Sequence, residues 1–189
     1  MISNELFYNL TLIVALSAIS GFISRRFKRE VLSGKILQGV LFGVIAIIGI
    51  VYAYHLKGGI NFDGRAIVIS LGTLFFGPFA GAIITVLASI FRLWLGGIGT
   101  TIGIATIVSS YLIGLLFYYK INKKNETAFG WKQLLYLGVV VNVVNFLLLT
   151  LLPIKIYYGS YEAVGFTILV IFPLCTVLIG KILLDQQVN

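Results

Sequence analysis

Residues 58–103 read GGINFDGRAIVISLGTLFFGPFAGAIITVLASIFRLWLGGIGTTIG, and the way this stretch meets a membrane decides the rest of the fold. Arg65 and Arg92 stand at opposite ends of an uncharged run, residues 66–91. Each adjoins a glycine-rich turn, GGINFDG before Arg65 and GGIGTTIG after Arg92. Between them lies FFGPFAG, where Pro78 lacks the N–H that a continuous helix needs and its ring crowds the preceding turn. A run that folds back at Gly77–Pro78 brings both arginines to one membrane face. A single straight helix carries them to opposite faces.

The chain is 59% hydrophobic and only 11% charged, whereas about a quarter of a soluble domain is charged. Several uncharged runs approach or exceed the ~18 residues that suggest a membrane span. The fold class is therefore an all-α membrane protein, a polytopic helical bundle. The net charge of +8 reads as topology rather than as affinity for nucleic acid, because lysines and arginines gather in cytoplasmic loops. The lone Cys175 excludes an intrachain disulfide or a multi-cysteine metal site. The opening MISNELFYNL lacks a basic n-region and a cleavage site, so the first helix is expected to stay.

Taken in order, residues 6–23 form a first span, followed by SRRFKRE, the densest basic cluster. Arg25, Arg26, Lys28, Arg29 and Lys35 hold this loop in the cytoplasm and place the N-terminus outside. Residues 36–56 return outward, with Gly39 and Gly43 at a spacing that allows close helix contact. Tyr52, Tyr54 and His55 mark the outer boundary. After the central stretch come spans at residues 100–119, 134–152 and 166–184, separated by KINKKNETAFGWK and by the aromatic turn PIKIYYGSYEAVG.

Counting crossings favours the broken hairpin. With residues 66–91 as one crossing, SRRFKRE and KINKKNETAFGWK fall on opposite sides and break the positive-inside bias. With a hairpin both loops are cytoplasmic, as is the C-terminus, and ten of the fourteen basic residues lie inside. The cost is a first arm of about 16 Å against a hydrocarbon core of about 30 Å. Neighbouring helices must therefore shield it, because irregular backbone is not tolerated against lipid.

At NFDGR, FFGPFAG, Arg92 and GGIGTTIG the chain resembles the LytS/YhcK-type transmembrane receptor domain, the 5TM-LYT family. The resemblance covers about residues 36–184, with residues 6–23 as the usual preceding helix. It implies two regions, residues 1–35 as an N-terminal helix with a basic cytoplasmic loop and residues 36–189 as a five- to six-helix receptor unit. It also implies a bacterial inner-membrane sensor, with a histidine kinase or diguanylate cyclase beyond Asn189 as the effector. Some relatives sense small carboxylates through two arginines that match Arg65 and Arg92 here. The family is similar in architecture to the S components of vitamin transporters, which supplies the alternative function. A structural scaffold without ligand is the third.

The candidate ligand-binding residues are Arg65, Arg92, Asn61, Asp63, Gly97, Gly99, Gly103, Thr106 and Asn145. Paired guanidinium groups suit capture of a small anionic metabolite such as a carboxylate. The same arginines could instead be interfacial anchors that snorkel to lipid headgroups. Asp63 competes as an ion-pair partner, and Asn61 reads equally as a helix cap. Glycines 97, 99 and 103 either admit backbone N–H groups to an anion or permit helix packing. Thr106 lies seven residues after Gly99, on roughly the same face, and offers a hydroxyl. Asn142 and Asn145 share a face, where amides more often bond other helices than ligand. His55 is the only histidine, and no catalytic constellation, cofactor motif or metal cluster is evident. The expected partners are the bilayer, the anion and a cytoplasmic signalling domain; a homodimer is also compatible.

Overall fold

A computed structural model describes residues 19–21, 23, 31–56, 60–97, 99–124, 130–150, 165 and 167–188. Most of the first span, the SRRFKRE loop, most of the aromatic turn and residues 125–129 of the second basic loop lie outside the described residues. Among the described residues, five helices are long and apolar enough to cross a membrane. They are α1 (Leu32–Val51), α2 (Arg65–Leu95), α3 (Thr100–Lys124), α4 (Trp131–Leu149) and α5 (Phe172–Val188). A π-helical turn, Thr167–Ile171, leads into α5. Between α1 and α2 the chain makes a small antiparallel hairpin, β1 (Tyr54–Leu56) with β2 (Ile60–Phe62), where sequence reading expected only a span end and a turn.

α2 is two helices joined at a break. Gly77 adopts φ 86° and ψ 179°, a backbone region open only to glycine, and Pro78 follows without an N–H. The arms then fold back on each other. A Cβ at Gly81 would run into Thr73, and one at Gly72 would run into Ile84. On a straight helix those partners would be about 12 and 18 Å away. The run is therefore the hairpin that the crossing count favoured.

The first arm meets its shielding requirement in full, since every residue from 63 to 77 is buried. α1 lies along the second arm through small residues: a Cβ on Gly39 would sit 3.1 Å from the Ala80 carbonyl oxygen, and one on Gly43 would meet Leu87. α3 covers the first arm, where a Cβ on Gly114 would lie 2.9 Å from the Ser70 carbonyl oxygen. The Tyr111 hydroxyl donates to the Pro78 carbonyl at 3.2 Å, which ties α3 to the break itself. Buried hydroxyls on the arms bond their own helix, as in Thr73 to Ile69 at 2.7 Å, so they ask nothing of the packing around them.

α4 and α5 form an antiparallel pair, with Gly138 against Pro173 and Thr176, and Gly180 against Leu134. The α4 start is capped by Gln133, whose Oε1 accepts from the Gly130 N–H at 3.1 Å. Pro173 accounts for the π-turn, because its missing N–H leaves a carbonyl one turn back without its usual α-helical partner. The start of α2, the end of its second arm, the start of α3, the end of α4 and the start of α5 all converge on one cavity. The start of α4 and the ends of α3 and α5 lie at the opposite end of the bundle.

The backbone at Gly77 makes a direct prediction. Gly77→Ala should destabilise the protein by about 1–3 kcal/mol, the cost of forcing a side chain into that region. Pro78→Ala should cost much less, because the turn depends on φ at Gly77. Thermal unfolding in detergent, with equal melting points for both variants and the parent, would show that Gly77 does not dictate the break.

Candidate functional site

The site is assembled from the two ends of α2 and the start of α3. Asp63 precedes α2, and its Oδ1 accepts from the Arg65 N–H at 2.8 Å. Asp63, one residue before the N-cap Gly64, therefore satisfies the first N–H of the helix, while sequence reading offered a capping role to Asn61. Asn61 sits in β2, paired with His55 across the hairpin, and its side chain lies outside the described residues. The second carboxylate oxygen of Asp63 lies 3.4 Å from Nη1 of Arg65. Neither atom completes a well-formed hydrogen bond, so this is a loose ion pair.

Arg92 arrives from the other arm. It is 1% exposed, and its Nη1 donates to the Gly96 carbonyl at 3.1 Å, closing the end of the helix. Gly96 and Gly97 then turn the chain with φ of 68° and 95°, which glycine alone adopts without strain. Gly103 makes the seat for Arg92: a Cβ there would fall 2.6 Å from Nε. The Gly103 N–H itself donates to the Gly99 carbonyl at 2.8 Å, so packing is what this glycine serves. On a straight α2 the two arginines would stand about 40 Å apart. Here both line one cavity.

That cavity measures about 50 Å³, room for a few waters or a small organic ion. Asp63, Arg65, Arg92, Gly99, Gly103, Thr106 and Asn145 from the sequence candidates line it, whereas Gly97 is exposed and does not. The structure adds Asn142 and an apolar wall of Ala66, Ile102, Leu149, Ile168 and Phe172. In a chain so rich in hydrophobic residues these apolar positions carried no signal; the two asparagines did, as amides inside an apolar run. Thr106 donates to the Gly103 carbonyl at 2.8 Å, and Asn145 Oδ1 accepts from Ser109 at 3.5 Å.

Electrostatically the site is out of balance. Two guanidinium groups, which stay protonated in proteins, face one carboxylate, and all three residues are buried. Burial holds the Asp63 carboxyl above its ordinary range, against the opposing pull of the Arg65 charge, the Arg65 N–H and Arg92. The starts of α2, α3 and α5 bring positive dipole ends to the same place and the ends of α2 and α4 bring negative ones, so the side-chain charges set the balance. The arrangement can hold an anion. Among the described residues no group of His, Cys, Asp or Glu could hold a metal ion.

A family model described as "5TMR of 5TMR-LYT" matches residues 22–186 of the chain. No curated protein and no solved structure matches it. Five membrane-length helices among the described residues are in keeping with that match, which covers most of the sequence. The chain belongs to the 5TM-5TMR_LYT family, the membrane sensor domain of signalling proteins.

Proposed function

We propose that this chain is the receptor unit of a bacterial membrane sensor, residues 36–189 preceded by an N-terminal helix, which binds a small carboxylate from outside. The observation that carries the proposal is that two buried guanidinium groups, Arg65 and Arg92, line one cavity with a single carboxylate, Asp63. An unbalanced buried charge is costly, and a bound anion relieves it. The orientation follows from the basic loops. Lys120 and Lys132 lie at the end of the bundle opposite the cavity, and the bias of basic residues toward the cytoplasm supports reading that end as cytoplasmic and the cavity as external. α5 begins beside the cavity and ends on the cytoplasmic side, where a histidine kinase or diguanylate cyclase would receive the signal.

The first test is the arginine pair. A charge-assisted hydrogen bond is worth about 1.5–3 kcal/mol. Arg65→Ala and Arg92→Ala should each weaken calorimetric affinity for a small carboxylate by roughly 10- to 150-fold at ~1.4 kcal/mol per decade. Their effects should be non-additive if both grip one group. Lysine should restore only part of the affinity, because it lacks the planar fork. Unchanged affinity in both single variants, with melting points intact, would remove the arginines from the ligand site.

Asp63 supplies a pH test. Its carboxyl is held above the ordinary range, so protonation occurs nearer neutrality than for a free side chain. Protonation removes the competing negative charge beside Arg65 and raises the net charge of the site. Affinity for a small sulfonate, which stays ionised throughout, should therefore rise as pH falls from neutral into the mildly acid range. Asp63→Asn should show the higher affinity at neutral pH and lose the pH dependence. A pH-independent parent would rule out Asp63 as a competitor.

Orientation is tested by labelling. In a Cys175→Ser background, Tyr52→Cys at the cavity end and Trp131→Cys at the other end are both at exposed positions. An impermeant thiol reagent should label the first in intact cells and leave the second protected. The reverse pattern would put the cavity on the cytoplasmic side.

A further inference from the structure

One polar atom of the cavity is used neither by the arginines nor by helix packing. Asn142 is 1% exposed and lines the cavity. Its Nδ2 donates to the Gly138 carbonyl at 2.7 Å, which fixes the orientation of the amide and makes Oδ1 the free end. Among the described residues Oδ1 is a buried acceptor with no hydrogen-bond partner. Native proteins leave few such atoms, and each calls for a reason.

A plain carboxylate cannot supply that partner. Its oxygens only accept, and they suit Arg65 and Arg92, whose side chains only donate. Against Asn142 Oδ1 a carboxylate oxygen would meet another acceptor. The missing group is a donor carried by the same ligand. A hydroxyl is favoured over an ammonium, because the site already holds two cations against one anion. Ile102, Leu149, Ile168 and Phe172 offer apolar surface for the short carbon skeleton between the two ends. We infer that the ligand class of this cavity is small hydroxy acids, with the carboxylate on Arg65 and Arg92 and the hydroxyl donating to Asn142 Oδ1. This rests on the carboxylate-binding function proposed above and adds a specificity-determining residue to it.

Matched pairs differing by one hydroxyl test the inference: propionate against lactate, and succinate against malate, by calorimetry on the purified protein. Leaving a buried acceptor unpaired corresponds to about tenfold in affinity. In at least one pair the hydroxy acid should bind about tenfold tighter than its parent acid. Asn142→Leu, with the same heavy-atom branching but without the acceptor, should erase that difference. Equal affinity within both pairs in the parent protein, with binding lost in Arg92→Ala, would overturn the hydroxyl inference and leave carboxylate binding standing. A preference that survives in Asn142→Leu would overturn the assignment to Asn142. Absence of arginine-dependent binding by any of the four acids would overturn the carboxylate function and this inference with it. If Asn142→Leu fails to fold, the parent comparison alone decides between the ligand classes.

Discussion

A peptide group inside hydrocarbon has no water to bond, so a break in a membrane helix has to be enclosed by protein. Gly77 imposes such a break in the middle of α2, and much of the packing answers it. Residues 63–77 are all buried, and glycines on α2 and α3 supply the close approach that burying a short arm requires, while those on α1 do the same for the second arm. A side chain at Gly39 or Gly114 would press on a backbone carbonyl, which cannot move aside as a flexible side chain can. Among the described residues, the break itself gains a partner when Tyr111 bonds the Pro78 carbonyl. The same fold-back returns the chain to the end from which it started. Arg65 and Arg92 meet because the hairpin closes.

The charges then do what isolated surface ions would not. An exposed arginine at a helix end gains little, since water screens it. Arg92, 1% exposed and seated in the space left by Gly103, keeps its charge in a far less polar setting. Asp63 offsets part of it, but spends one oxygen capping α2 and holds Arg65 with the other at 3.4 Å. That division of labour makes Asp63 an incomplete counterion. Its geometry orients Arg65 without saturating it, which is what a site that receives a second anion requires.

Much of this was legible in the sequence because charge is sparse. With 11% charged residues, the position of each basic loop constrains topology, and the count of crossings alone favoured the hairpin. Gly77–Pro78 and the two arginines stood out for the same reason. Other features lacked contrast. The β1–β2 hairpin is three residues a side with mixed character, so no alternating pattern announced it. Asn61 and Asp63 are both good caps, and only the backbone geometry chose Asp63. The wall residues Ile102, Leu149, Ile168 and Phe172 are chemically identical to their lipid-facing neighbours. In a helix apolar on every side, periodicity cannot say which face turns inward.

The π-turn before α5 gives the cavity a specific mechanical neighbour. Ile168 lies in it and Phe172 begins the regular helix, and both line the cavity. A turn with wider hydrogen bonds next to Pro173 costs less to rearrange than a regular α-helical turn. Beyond it, α5 is held to α4 through Gly138–Thr176 and Gly180–Leu134, contacts close enough to carry displacement rather than absorb it. At the far end Gln186 packs on Gly21, while Ser20 and Gln38 exchange two hydrogen bonds of 3.0 Å, which joins the preceding segment to α1. A change in the cavity that shifts Ile168 or Phe172 therefore meets a soft turn first and a stiff helix after it. If the chain works as the sensor proposed above, that order would let a small ligand move the distant end of α5.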